Sequence, residues 1–287
     1  MKKRVYKAIL QEYVDQLLKQ KASLEHFSEM ERSRTGKTRR VRKHFLSFVF
    51  DSYLNNPKQN VVFCPVTNNY DRVQEGESFP LRLMGEEEAG TGFKDTLTGM
   101  FYNHDNYGKA LIRFCEPISI KTFVDAHCKQ AKTTVEELKS NEKAKKQLMK
   151  VFCHEMQDVF ADNTVVMSSS ILASLILGFR KGISEDSLKF WYPFVHKWIE
   201  KKGGLVHGNR EPKMDQIRMS MRYLSGFVQV KRSMVEPKTD QGEEYKNLLM
   251  LSYYRNILVH HFMHESYIII SALSRENGGQ STKDAIK

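Results

Sequence analysis

The sequence predicts an α/β fold in two parts: an α/β layer with a mostly parallel sheet over residues 1–125, then an all-helical region over residues 126–287. Three observations carry this. Apolar residues recur at helical spacing from Tyr6 through Ile9, Leu10, Tyr13, Val14, Leu17 and Leu18. Two runs rich in β-branched and aromatic residues, VVFCPV at 61–66 and ALIRFC at 110–115, are separated by helical stretches. Beyond about residue 126 strand signals give way to helix signals.

The opening periodic stretch predicts an amphipathic helix that needs a partner surface. After Lys21 come a short strand, SLEHFSE, and the basic loop ERSRTGKTRRVRK; a helix with Phe45, Phe48, Val49 and Tyr53 follows, ended by Asn55-Asn56-Pro57. VVFCPV reads as one strand buried on both faces, and ALIRFC reads similarly. Thr133 with Glu136 fits a capping box, followed by a broken apolar face of Val135, Leu138, Leu148, Val151, Phe152 and Val159. Thr164 to Phe179 is the most apolar stretch, too short to span a bilayer, and reads as a buried or interfacial helix. A helix from Ser184 carries Leu188, Trp191, Val195, Trp198 and Ile199 to Gly203-Gly204, bent at Pro193. A last helical region runs from Tyr245 to about Leu273, and the tail from Glu276 has the composition of a frayed end.

Composition narrows the class. At 287 residues with 40% hydrophobic and 28% charged residues the chain is globular rather than disordered. Four cysteines, at 64, 115, 128 and 153, form no CxxC pair, so zinc is not expected and the thiols read as reduced. MKKRVYKAIL lacks the apolar core of a secretory signal. The net charge of +11 is uneven: residues 1–43 hold 13 Lys/Arg against 5 Asp/Glu, and 32–43 hold seven basic residues and no acidic one. Such a patch attracts phosphate in a nucleic acid, an anionic membrane or a small phosphomonoester.

Gly36-Lys37-Thr38 suggests a nucleotide-binding P-loop, but Glu31 stands where that loop needs glycine, and its carboxylate would face the phosphates. Arg32 and Arg34 instead offer planar, bidentate donors, with Ser33, Thr35 and Lys37 beside them, which suits a phosphomonoester. A solvated basic loop is the bland alternative. A nucleic-acid arm is another, although no aromatic RNP-type pair or recognition helix accompanies it.

FSEMERSRTGK at 27–37 resembles the third motif of the glycerol-3-phosphate and dihydroxyacetone-phosphate acyltransferases, FxEGTRSRTGK. VYKAILQEYVDQLLKQKASLE upstream is similar to the lead-in to that motif, and PVTNNYDRV at 65–73 to the fourth, PVxxxYDRV. Similarity continues through Phe79 to Gly85, ALIRFCEPISI at 110–120, SSSILASLILGFRKGIS at 168–184 and YYRNILVH at 253–260. The resemblance implies that Arg32 and Arg34 hold the acceptor's phosphate with Ser33 and Lys37 in support. It also implies that Pro65, Tyr70 and Arg72 shape the acyl-donor side. Met30 and Glu31 depart from the motif's glycine and small residue, which puts an anion near the phosphate.

The family's base is a histidine in an HxxxxD motif, and no histidine of this sequence has an aspartate five residues on. His26 with Glu31 and His260 with Glu265 fit only with glutamate, and read as packed or partly exposed histidines; of His260, His261 and His264 on one helix, the 260/264 pair has i, i+4 ligand spacing but no HExxH pattern or third ligand. The expectation is an incomplete acyltransferase domain, a truncated part of an sn-1 acyltransferase that passes a fatty acyl group from acyl-CoA to glycerol 3-phosphate or dihydroxyacetone phosphate. It would be inactive as given, need no cofactor beyond the acyl-CoA co-substrate, and bind no specific nucleic acid. Its place would be the cytosol-facing surface of the mitochondrial outer membrane, endoplasmic reticulum or peroxisome. A catalytically dead scaffold of the same pathway is the alternative.

Overall fold

The computed structural model describes residues 2–29, 33–73, 85, 107–179, 181–208, 211–239 and 244–276. The Phe79 to Gly85 motif, except Gly85, lies outside the described residues, as do Met30, Glu31, Arg32 and the tail beyond Glu276. Two compact units emerge. The first comprises Met1–Ser33, Thr38–Thr67 and Ile112–Asn163; the second comprises Arg34–Lys37, Asn68–Leu111 and Thr164–Lys287.

In the first unit, helix α1 (Lys2–Lys19) turns Val14 and Leu18 inward, while Tyr6, Ile9 and Tyr13 stay exposed. Its Gln11 side chain donates to Phe48 O at 3.0 Å on α2 (Lys43–Asn55). Asn56 caps α2 through its backbone N–H just before Pro57, as the sequence predicts. Residues 23–27 form no strand, because no described strand ladders onto them. The run at 61–66 is not one buried strand but two pieces, β1 (Val62–Phe63) and β2 (Val66–Tyr70), with Val62 and Val66 exposed. Pro65, which has no N–H to give a ladder, makes the break.

The mostly parallel sheet does not form among the described residues. β1 pairs antiparallel with β4 (Ile118–Ser119). β2 is bonded to β3 (Ala110–Phe114). At the ends of that ribbon Cys115 N–H donates to Pro65 O at 2.9 Å and Asp71 N–H to Lys109 O at 3.1 Å, so the strands run in opposite directions. β3 forms where expected, yet Ile112 and Phe114 are 64% and 76% exposed rather than buried.

Ser119 caps α3 (Ile120–Ala131), which runs across 125/126. The capping box sits one residue beyond its predicted place: Thr134 caps α4 (Val135–Ser140), and the Glu137 carboxylate accepts from Thr134 N–H at 2.9 Å and Thr133 Oγ1 at 2.7 Å. Asn141 then starts α5 (Glu142–Asp162), which breaks the apolar face into two helices. Phe50, Phe63, Phe123 and Phe152 pack ring to ring at 4.8–6.3 Å in the core of this unit. Phe152 is fully buried, and such burial stabilises by about 2–3 kcal/mol.

The second unit is built around α6 (Ser168–Gly178), buried as expected, with Ile171, Leu172, Ala173 and Ile176 inaccessible. Against it pack α7 (Glu185–Lys201), capped by Ser184 and containing Pro193, and α8 (Lys213–Tyr223), which no sequence signal marked. α9 (Glu244–Leu258) completes the core and passes through a 3-10 turn (Val259–Phe262) into α10 (Met263–Glu276). The region is not all-helical: β5 (Val165–Val166) pairs parallel with β7 (Leu205–Val206). β6 (Ile183–Ser184), β9 (Met234–Pro237) and β8 (Val228–Lys231) form an antiparallel sheet in that order. β8 and β9 are joined by Arg232 and Ser233, both at positive φ, a turn that Asn-Gly usually marks in sequence and that Arg-Ser does not.

Candidate functional site

The basic loop is seated by α9. Gly36 has φ +80°, and a Cβ there would run into the carbonyl oxygen of Tyr253 and stand 2.8 Å from its carbonyl carbon. Only glycine lets the loop lie so close to the helix backbone. Beside it, Asn256 Nδ2 donates to Thr35 O at 2.8 Å, and the Arg255 guanidinium donates to Asn256 Oδ1 at 3.1 and 3.4 Å. Asn256 is thereby oriented from one side and holds the loop with the other.

The same turn of α9 holds the segment after β2. Tyr254 is fully buried, its hydroxyl accepts from Val73 N–H at 3.0 Å, and burial pushes its pKa up to about 12. Arg72 extends over the Tyr107 ring, 5.1 Å from the centroid, a cation–π contact that fixes its planar donors. The YYRN block thus gathers the backbone of the basic loop and that of the YDRV segment onto one helical turn.

Among the residues expected in the site, Arg34 and Lys37 are exposed, Ser33 is half-buried, and Arg32 lies outside the described residues. Pro65 is buried just ahead of β2 and belongs to the first unit, whereas Tyr70 is half-exposed and Arg72 half-buried in the second. No described geometry unites these three as a single wall.

Sequence reasoning passed over Asp71, which is 2% exposed. Its Oδ2 accepts from Lys109 N–H at 2.9 Å, and its Oδ1 is buried without a hydrogen-bond partner. Burial pushes this carboxyl above its usual range, with the Lys109 amide pulling the other way. Gly108, at φ +74°, leaves the needed room: a Cβ there would come within 2.6 Å of Asp71 Cβ and 2.8 Å of the Tyr223 ring. Lys109 Nζ bonds Glu211 Oε1 at 2.9 Å and lies 3.4 Å from His207 Nε2; that hydrogen bond holds the Glu211 carboxyl below its usual range. A signal was available: Asp71 is the only carboxylate between residues 52 and 73.

Of the histidines outside this cluster, His26, His260 and His261 pack, whereas His44, His154 and His264 are exposed. His26 stacks on Phe45 at 4.7 Å with its pKa lowered by burial, and His260 lies against His261 at 4.0 Å. Among the described residues no three His, Cys, Asp or Glu side chains stand together as metal ligands. No disulfide joins the four cysteines, of which Cys64 is exposed and Cys115 buried.

Residues 97–287 match the family described as the glycerol-3-phosphate acyltransferase C-terminal region. Proteins named glycerol-3-phosphate acyltransferase are similar in Xanthomonas axonopodis pv. citri (31% identical over 128 residues, 43% of this chain and 14% of the relative), Pseudomonas aeruginosa (31% over 128, 43% and 15%) and Xylella fastidiosa (31% over 121, 40% and 14%). The chain thus spans only 14–15% of the length of these relatives.

Proposed function

Because the chain belongs to the glycerol-3-phosphate acyltransferase C-terminal region family, we propose that it supplies the acceptor-phosphate side of an acyltransferase of glycerolipid synthesis. The acceptor is glycerol 3-phosphate or dihydroxyacetone phosphate, and the donor is acyl-CoA. In the reaction the acceptor's sn-1 hydroxyl oxygen attacks the thioester carbonyl, the C–S bond breaks, and coenzyme A leaves as its thiol with the proton from the hydroxyl. Arg34 and Lys37, with Ser33 and Arg32, neutralise and orient the phosphate through charge-assisted hydrogen bonds. Arg72, whose guanidinium carbon stands 5.1 Å from the Tyr107 ring centroid, serves the acyl-donor side with Tyr70 and Pro65. No cofactor takes part. The base that removes the hydroxyl proton is not one of this sequence's histidines, none of which heads an HxxxxD motif. The setting is the cytosolic face of a membrane.

One observation supports this reading above the rest: a single turn of α9 fastens the backbone at Thr35, Gly36 and Val73. The test is calorimetric titration of the full chain with glycerol 3-phosphate, alongside acyl transfer from labelled acyl-CoA. We expect binding that weakens by about tenfold or more in Arg34→Gln with Lys37→Gln, at about 1.5–3 kcal/mol per charge-assisted contact, and no transfer above background. Binding indifferent to both substitutions, or turnover by the chain alone, would count against the assignment.

A further inference from the structure

α7 turns two faces to two environments. Leu188, Tyr192, His196 and Ile199 are buried in the core of the second unit. Opposite them, Phe190 is 64%, Trp191 37% and Phe194 48% exposed. These rings form one ridge: Phe190 meets Trp191 at 5.1 Å, Trp191 meets Phe194 at 5.5 Å, and Phe194 meets Trp198 at 6.1 Å. Phe179 closes against Trp191 at 6.2 Å. Lys197 and Lys201 are exposed three and seven residues beyond Phe194, so helical spacing puts them on the same side as the rings. No carboxylate occurs between Ser187 and Ile199.

We infer that this ridge is a docking face for an anionic lipid surface, on which α7 lies flat. The inference rests on the membrane setting proposed above and names the residues that meet it. The charge fits: Lys197 and Lys201 stand on the ring side of the helix, while the nearest acids, Asp186 and Glu200, are partnered by Lys189 and His196, so the lysine stems lie along apolar surface while the ammonium groups reach lipid phosphates. The shape also fits, since a helix of this kind settles in the interface with aromatic rings at headgroup depth. Among the described residues no helix is long and apolar enough to cross a membrane, so lying in the interface is the geometry open to α7. A nucleic acid suits the face less well. Phe190 and Phe194 each stand at 87° to Trp191 and Phe194 is stacked on Trp198 at 22°, so the ring faces are taken up within the ridge rather than splayed as platforms on which bases stack.

The two tryptophans of the chain are both on this helix, which makes the whole protein its own probe. The full chain is titrated with vesicles of phosphatidylcholine alone, and of phosphatidylcholine mixed with phosphatidylglycerol, following tryptophan emission and its quenching by brominated acyl chains. The expected result is a blue shift and quenching on the mixed vesicles, with the quenching reduced to the share of Trp198 in Trp191→Phe. Lys197→Gln with Lys201→Gln should weaken partitioning by about 25-fold, at about fivefold per lysine. Phe190→Ser with Phe194→Ser should weaken it further, with unchanged circular dichroism because both rings are exposed. If the wild type binds mixed vesicles and these variants bind equally well, the face is wrong while the membrane setting stands. If the wild type binds neither vesicle, both fall. A blue shift that follows protein concentration without lipid would make the ridge a contact between copies and overturn the inference.

Discussion

Replacing Gly36 by alanine is the sharpest test of how the site is built. The added Cβ meets two obstacles. At φ +80° a residue with a side chain pays about 1–2 kcal/mol for the left-handed conformation. It would also stand 2.8 Å from the Tyr253 carbonyl carbon, whereas carbon atoms settle at about 3.5–4.0 Å. Both partners are backbone, so no rotamer change relieves the clash; the loop must lift by about 1 Å. That movement breaks the Asn256–Thr35 hydrogen bond, a further loss of about 0.5–1.5 kcal/mol. The total has a ceiling, because once residues 34–37 leave α9 no more strain accrues. We therefore expect a loss of about 2–3 kcal/mol and a melting temperature lower by about 5–10 °C for a unit of this size. Tryptophan emission is the right readout, since Trp191 and Trp198 lie in the unit that includes the loop. Binding of glycerol 3-phosphate should weaken at least about tenfold, as the competent loop becomes a minor state. Asn256→Ala, which removes the bond without the clash, should lose only about 1 kcal/mol. A Gly36→Ala chain within about 0.5 kcal/mol of wild type and with equal affinity would show that the loop is not seated on the helix.

Two further outcomes follow from buried groups. Since the Asp71 carboxyl is raised by burial, the folded state holds its proton more tightly than the unfolded chain. Its contribution is complete below the unfolded pKa and is lost as pH rises through the folded one. Asp71→Asn should therefore equal or exceed wild-type stability at pH 8 in urea titrations, and Asp71→Ala, which leaves Lys109 N–H unpaired, should lose about 1–3 kcal/mol; an asparagine variant weaker at pH 8 would mean that the charge itself is used. His261 works in the opposite sense: burial, with His260 and Lys202 adding, holds its pKa at about 4, against 6.5 when unfolded. The unfolded state takes up the proton first, so stability present above pH 6.5 is lost as pH falls towards 4. Solvent screening of this part-buried ring reduces the loss to about 2 kcal/mol, and His261→Phe should flatten that limb of the profile.

The helices were legible because their signals are local. The period of α1, the Asn56-Pro57 stop of α2 and the Ser184 cap of α7 all lie within a few residues of what they govern. The capping box shifted by one because Thr133 with Glu136 and Thr134 with Glu137 fit the same pattern, and only the fold selects Glu137, which both threonines then use. The site was legible as blocks of sequence but not as an arrangement. Thr35 and Asn256 are 221 residues apart, and Val73 and Tyr254 are 181 apart, so nothing local announces that YYRN is the clamp. Pairing was least legible, because whether an apolar run meets a parallel neighbour or an antiparallel one depends on segments far along the chain.

The β2–β3 ribbon shows why an apolar run misled and why Asp71 escaped notice, and the two failures have one cause. Along β2 the buried positions are Thr67 and Asn69, followed by Asp71, while Val66 and Tyr70 face outward. Of the inward polar groups, Thr67 Oγ1 donates to Asn163 O at 3.0 Å and Asp71 takes the Lys109 amide, while Asn69 Nδ2 and Asp71 Oδ1 are buried without a partner. Once those bonds set which side faces in, the two-residue period of a strand leaves no choice for the rest. Val66 must point out, and so must Ile112 and Phe114 on the paired strand. Apolar character therefore marked β3 correctly but its buried face wrongly, and missed the polar body of β2, since a hydrophobic residue is permitted outside whereas a buried polar group seeks a partner. The rarer event, a lone acid at the end of a strand, was the more informative residue.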